Sequence, residues 1–244
     1  AIQKAFEQFP GEIACAIIEP IPANNGLLIQ DLEYLQFLRN ICTENATLLV
    51  FDEVISGFRV GFEGAAGFYD VKPDIITYGK IIGGGLPVGA YGASWQIMNC
   101  ISPEGPVYQA GTLSGNPVAM SAGIAQLSEC LKPGFYKKLE EKTQAFLTKI
   151  LLHTSSANKQ RFKFYQVGSI WWIAFSNKEI KTAEEIDPAS MNYFKILHRE
   201  LLERGVYMGP SGYEVGFVSE AHTPEVLDKA AEAFVEALKI ALKD

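Results

Sequence analysis

Two stretches hold residues whose types and spacing could do chemistry. Leu48-Leu49-Val50-Phe51 runs into Asp52-Glu53-Val54, and Pro73-Asp74-Ile75-Ile76-Thr77-Tyr78-Gly79 runs into Lys80. Each is a short apolar run ending in charge, which reads as a strand buried on both faces. In an open α/β sheet, ligands gather at the carboxyl ends of such strands. An aspartate and a lysine delivered to neighbouring strand ends could bind and activate a flat cationic cofactor. The carboxylate would keep a ring nitrogen protonated, and the amine would attack a carbonyl. Gly83-Gly84-Gly85-Leu86-Pro87 follows the lysine at once and is expected to keep the backbone thin around it.

Each residue also has a plainer role. Asp52 could cap a nearby helix, and Lys80 could lie along the sheet surface with its amine in water. The chemical alternative for Lys80 is a dry pocket, where desolvation lowers the amine's pKa and leaves a nucleophile. A rival use of four apolar residues before Asp-Glu is the magnesium strand of a P-loop protein. That needs Gly-x-x-x-x-Gly-Lys-Ser/Thr, but before Gly79-Lys80 the chain has Asp74 for the first glycine, and after it Ile81 for the hydroxyl.

Composition removes other classes. The 244 residues carry a formal charge of −7, against a nucleic-acid partner. No apolar run is long enough to span a membrane. Cys15, Cys42, Cys100 and Cys130 show no metal spacing and read as free thiols of a reducing compartment. His153, His198 and His222 stand apart and form neither a metal cluster nor a triad. The chain opens at Ala1 without a basic leader and is read as a piece of something longer.

The elements that must position Asp52 and Lys80 follow from pattern. A helix over the first nine residues ends at Pro10-Gly11, and Ile13 to Ile18 reads as a short buried strand. Asp31 is the expected N-cap of a helix through Leu32, Leu35 and Leu38 to Cys42. Thr47 to Phe51 is the central strand, and the Gly-Phe-Arg-Val-Gly segment after it is expected to run over the site. A strand near Gly89 to Ser94 and a helix near Gln96 to Cys100 precede a loop of small and hydroxyl residues at 108–117. Pro117 then fits the first turn of a helix. Lys132-Pro133-Gly134 is the expected boundary between residues 1–131, part of a large domain, and 132–244, a small α+β domain. Beyond it the pattern gives a helix from Tyr136, strand-like character over Phe162 to Phe175 and a helix over Met191 to Glu203. A strand start at Gly205 to Met208, a strand at Tyr213 to Val218 and a closing helix from Pro224 complete it.

Phe51-Asp52-Glu53-Val54-Ile55-Ser56-Gly57-Phe58-Arg59, Gly79-Lys80-Ile81-Ile82-Gly83-Gly84-Gly85-Leu86-Pro87 and Tyr108-Gln109-Ala110-Gly111-Thr112-Leu113-Ser114-Gly115-Asn116-Pro117 together resemble the class III pyridoxal-phosphate aminotransferases. Glu214-Val215-Gly216-Phe217 and Ala221-His222-Thr223 fit the same family, while Trp171-Trp172 departs from its smaller residues. The resemblance implies an α/β fold of the fold-type I class, with a mostly parallel large-domain sheet. It implies pyridoxal 5'-phosphate, passing through its pyridoxamine form, as cofactor. Lys80 would hold it covalently and move protons. Asp52 would pair with the pyridine nitrogen, Val54 would pack on the ring, and Glu19 and Asn24 would support the phenolic side. Thr112 and the Gly111 backbone would reach the phosphate in the neighbouring subunit of a homodimer, and Glu214 would line the substrate cavity.

The activity implied is transfer of an amino group within one small molecule, turning glutamate 1-semialdehyde into 5-aminolevulinate for tetrapyrrole synthesis. No arginine follows Arg204, which disfavours the acetylornithine and ornithine transaminases of the family. Those transaminases and a non-catalytic relative are the alternatives. The family's phosphate loop, stacking aromatic and carboxylate-binding arginine lie in an amino-terminal half missing here, so the chain is expected to be inactive alone. Bacterial cytoplasm and plastid stroma both suit this reading.

Overall fold

A computed structural model describes residues 1–243, which form two compact units. The first is Ala1–Ile21 with Gln30–Pro133; the second is Pro22–Ile29 with Gly134–Asp244. Segment 22–29, expected with the first 131 residues, clusters instead with the second unit.

In the first unit, α1 (Ile2–Gln8), β1 (Cys15–Ile18), α2 (Leu32–Glu44), β2 (Leu48–Glu53), α3 (Gly64–Tyr69), β3 (Ile75–Tyr78), β4 (Ala90–Ala93), α4 (Trp95–Met98) and α5 (Pro117–Cys130) follow in order. The sheet runs β1-β2-β3-β4. The first three strands are parallel, because α2 and α3 provide the crossovers that parallel neighbours need. β4 pairs antiparallel with β3, so the sheet is mixed. Leu35, Leu38, Ile41 and Cys42 recur at helical spacing and form the buried face of α2. Asp31 stands at the N-cap of α2 without a side-chain hydrogen bond, so the expected cap is made by backbone alone. Asp74 fastens the start of β3: its Oδ2 accepts from Leu49 N at 2.7 Å and Arg39 Nη1 at 2.8 Å.

β1 corrects an expectation. It is a strand, but it lies at the sheet's edge with alternate residues exposed, and Ile17 is 66% accessible. An apolar run marks a buried strand only where both faces are covered, and among the described residues only the face of Ala16 and Ile18 is partly covered.

The second unit contains α6 (Phe135–His153), α7 (Ser156–Lys159), β5 (Lys163–Val167), β6 (Ile170–Ala174), α8 (Met191–Glu203), β7 (Gly216–Phe217) and α9 (Pro224–Ala241). Its antiparallel sheet runs β5-β6-β7. Every residue of β6 is buried, including both tryptophans of the unusual Trp171-Trp172 pair. Trp171 packs edge-to-face on Phe146 and Phe234, at 5.7 and 5.6 Å between ring centres, in the core formed with α6, α8 and α9. The expected strand start at Gly205–Met208 is absent. α8 instead ends in a Schellman motif: Gly205 takes φ +77°, Gly205 N bonds Leu202 O and Val206 N bonds Leu201 O. The ladder resumes only at Gly216–Phe217, a shorter strand than Tyr213 to Val218.

Glu53 is the strongest buried polar feature of the first unit. Its carboxylate accepts from Ala65 N at 2.5 Å, Ala66 N at 2.8 Å and Ser56 Oγ at 3.1 Å, which fastens the first turn of α3 to β2. Burial pushes its pKa up, and the three hydrogen bonds only partly oppose that. A carboxyl whose folded pKa is raised stabilises most when protonated, and that contribution fades as pH climbs through the folded value. In urea unfolding, the wild type should therefore gain stability relative to Glu53→Gln as pH falls from about 7 toward the ordinary glutamate range near 4.3. A gap that narrows or stays constant contradicts this. Glu53→Ala should cost about 1–3 kcal/mol for the buried donors left unpaired. Phe234→Ala should cost about 3–5 kcal/mol through the cavity it opens, read as a lowered denaturation midpoint.

Candidate active site

Strand alternation sorts the two carboxylates. Successive residues of β2 point to opposite faces, so Glu53 is spent on α3 and Asp52 faces away from that helix. Asp52 is half-buried and oriented: its Oδ1 accepts from Val54 N at 3.0 Å and from Thr77 Oγ1 at 3.3 Å, its ladder partner on β3. Among the described residues its other oxygen accepts no hydrogen bond. The capping role considered for Asp52 thus belongs to Glu53.

Lys80 leaves the carboxyl end of the adjacent strand, two residues beyond Tyr78, which pairs with Glu53. It opens a 3₁₀ turn over Lys80–Gly83 in a left-handed backbone, φ +49°. Such a conformation in a long side chain costs on the order of 1–3 kcal/mol and persists only where neighbours impose it. Here they do so from two sides. A Cβ on Gly79 would stand 3.1 Å from Val54 Cγ1, so Val54 packs directly on the backbone before the lysine. On the other side the turn lies against α5, where a Cβ on Gly84 or Gly123 would strike the carbonyls of Ala122 or Ile82. These glycines admit helix packing; thinning the chain around the amine is not their main effect.

Phe58, also left-handed at φ +56°, lays its ring 5.0 Å from that of Tyr78. The loop after β2 therefore covers the end of β3. Arg59 donates from Nε to Ile55 O, and burial lowers its guanidinium pKa to about 10. Lys80 itself is exposed, so the drying pocket considered for its amine is not built by the described residues.

Glu19 follows β1, parallel neighbour of β2, and is half-buried. Glu19, Asp52, Val54 and Lys80 thus stand at the carboxyl ends of the three parallel strands of this mixed sheet, where ligands bind in open α/β folds. Gly111 and Thr112 lie in an exposed loop of the same unit, which turns through Ser114 N to Gly111 O and ends where Asn116 caps α5. Beside it, Ile82, Val88, Gly111, Asn116, Met120 and Ile124 border a cavity of about 520 Å³. Asn24 and Glu214 belong to the second unit and are exposed, with the Glu214 carboxylate folded over Gly209. Thr77 was not singled out from sequence, whereas Phe58 belongs to the segment expected to run over the site. Only strand register, which pairs residue 52 with 77, could have nominated Thr77.

The first-unit groups suit the ring of a pyridine cofactor. One carboxylate is oriented with an oxygen to spare, an apolar branched side chain lies beside it, and one amine has no ion-pair partner among the described residues. At least three His, Cys, Asp or Glu side chains placed to hold a metal ion are not found together among the described residues. No described helix is long and apolar enough to cross a membrane.

Comparison with known proteins identifies the family. The sequence matches the family described as aminotransferase class-III over residues 1–242. It is 47% identical over 233 residues to a glutamate-1-semialdehyde 2,1-aminomutase from Akkermansia muciniphila, covering 96% of this chain and 54% of the relative. It is 43% identical over 239 residues to the protein of that name from Leptospira biflexa, covering 98% and 56%. The chain spans about half the length of the curated relatives it matches. An omega-transaminase from Sphaerobacter thermophilus superposes with TM-score 0.91 at 29% identity, over 99% of this chain and 55% of that one. A glutamate-1-semialdehyde-aminomutase from Pseudomonas aeruginosa shares the fold with TM-score 0.84 at 21% identity, over 99% and 55%. The chain belongs to the class-III aminotransferase family.

Proposed function

We propose that the protein carrying this chain is a pyridoxal-phosphate-dependent aminomutase that isomerises glutamate 1-semialdehyde to 5-aminolevulinate, supplying tetrapyrrole synthesis. The observation that carries the reading is the oriented Asp52 carboxylate and the Lys80 amine at the carboxyl ends of adjacent parallel strands, in a sequence 47% identical to a curated aminomutase. When bound, pyridoxal phosphate supplies an electron sink for the substrate carbon.

The chain's own residues would supply part of the rest. The unengaged oxygen of Asp52 would keep the pyridine nitrogen protonated, and Val54 N–H and the Thr77 hydroxyl hold the carboxylate in orientation. Val54 would pack on the ring. Lys80 Nζ would hold the cofactor covalently and, as an acid–base group, would move protons at both substrate carbons in turn, with the nitrogen carried on the cofactor's own amine. One amine serving both carbons needs the intermediate held still between the transfers, and a fixed backbone at Lys80 favours that. Glu19 and Asn24 support the ring's phenolic side, and Glu214 lines the substrate cavity. Thr112 and Gly111 reach the phosphate in the second subunit of a homodimer. The compartment proposed is the cytoplasm, or the plastid stroma for a plant or algal source. The chain by itself is proposed to be inactive.

A second reading is a class III transaminase using a separate amino donor, favoured by the fold likeness to the omega-transaminase. Incubating the intact protein with glutamate 1-semialdehyde and no amino donor separates the two: 5-aminolevulinate should accumulate, and a strict need for added donor overturns the mutase. Lys80→Ala should lower turnover at least the ~10²–10⁴-fold typical of a lost acid–base group, and near-normal turnover removes Lys80 from the mechanism. Asp52→Asn should lower activity per folded molecule with little change in melting temperature. A collapse in melting temperature with unchanged activity per folded molecule makes Asp52 structural.

A further inference from the structure

The second unit contains a contact that the family pattern did not foreshadow. Alternation along β6 sends Trp171 into the helical core and Trp172 to the opposite face of the sheet, where Trp172 is 1% exposed. Two loops distant in sequence meet on its indole. Trp172 Nε1 donates to Gly212 O at 2.8 Å, in the loop that ends at Glu214. The far edge of the ring fills the space over Gly26, where a Cβ would come within 2.8–3.0 Å of Cη2, Cζ2 and Cζ3. Gly26 takes φ +81°, and its N–H bonds Tyr213 O at 2.7 Å, so the loops are also tied to each other. This contact explains why residues 22–29 cluster with the second unit.

We propose that Trp172 is a positioning residue that holds the Asn24 loop and the Glu214 loop as one body, and so sets how tightly substrate is held. The inference rests on the roles given above to Asn24 and Glu214. The indole is suited to the task because one rigid ring supplies both a buried N–H donor and a flat apolar edge. A smaller side chain at 172 would leave Gly212 O without its partner and open space above Gly26.

Hydrogen–deuterium exchange on the intact protein tests the coupling without reference to chemistry. Trp172→Phe keeps an aromatic ring but removes the donor and the far edge. It should speed exchange at the Gly26 amide and across residues 211–215 about tenfold, while amides of α9 and the β5–β6 ladder keep their protection. Unchanged loops, or equal loss throughout the unit, overturn the proposal. Gly26→Ala approaches the same contact from the other side. It should cost less stability in the Trp172→Phe background than in the wild type, whereas strict additivity contradicts a shared contact. In turnover, Trp172→Phe should raise KM for glutamate 1-semialdehyde severalfold with kcat changed much less. An unaltered KM overturns the positioning role. If the wild type forms no 5-aminolevulinate, the functional reading fails, and the exchange result still decides whether the loops are coupled.

Discussion

The site depends on the parallel pairing of β2 with β3. That ladder sets residue 52 opposite 77 and residue 53 opposite 78, and the pleat then sends the two adjacent carboxylates to opposite faces. Glu53 is absorbed by the backbone amides of α3, and Asp52 is left with one oxygen fixed and one available. A slip of one residue would exchange them: the helix would lose its anchor, and the carboxylate facing the sheet's ligand end would be the wrong one. Asp74 opposes such a slip at the other end of the strands, where it binds Leu49 N and Arg39 together.

Around that ladder, strain and glycine packing fix the lysine. Lys80 adopts a left-handed backbone because Val54 fills the space over Gly79 and α5 closes on Gly84. The same α5 backs the turn through Gly123, and Asn116 and Pro117 begin that helix with a capped first turn. A side chain expected to move protons between two carbons is thus mounted on backbone held from two sides. The second unit uses a different device. Its paired tryptophans divide the labour, Trp171 filling the helical core and Trp172 fastening loops on the other face of the sheet.

Much of this was legible in the sequence because periodicity and punctuation report local structure. The apolar run into Asp52, the Pro117 helix start and the helices over Met191 to Glu203 and from Pro224 were read from pattern. What was not legible depended on partners remote in the chain. Ile13 to Ile18 reads as buried because isoleucine and alanine cannot announce which strand lies at an edge. Gly205 to Met208 has strand composition, but a Schellman motif consumes the backbone groups a strand would use. Gly83-Gly84-Gly85 reads as backbone kept thin around the amine, whereas the close approach of α5 explains Gly84. Segment 22–29 joins the second unit through the Trp172 indole, almost 150 residues downstream, and a backbone bond from Gly26 to Tyr213, which no local pattern encodes.

The central claim is that Asp52 and Lys80 address opposite ends of one ring. A crystal structure of the intact protein with pyridoxal phosphate tests it most directly. The account predicts Lys80 Nζ bonded covalently to the cofactor's aldehyde carbon and the free oxygen of Asp52 within hydrogen-bond distance of the ring nitrogen. A cofactor held by another lysine, or a ring nitrogen facing away from Asp52, would contradict it.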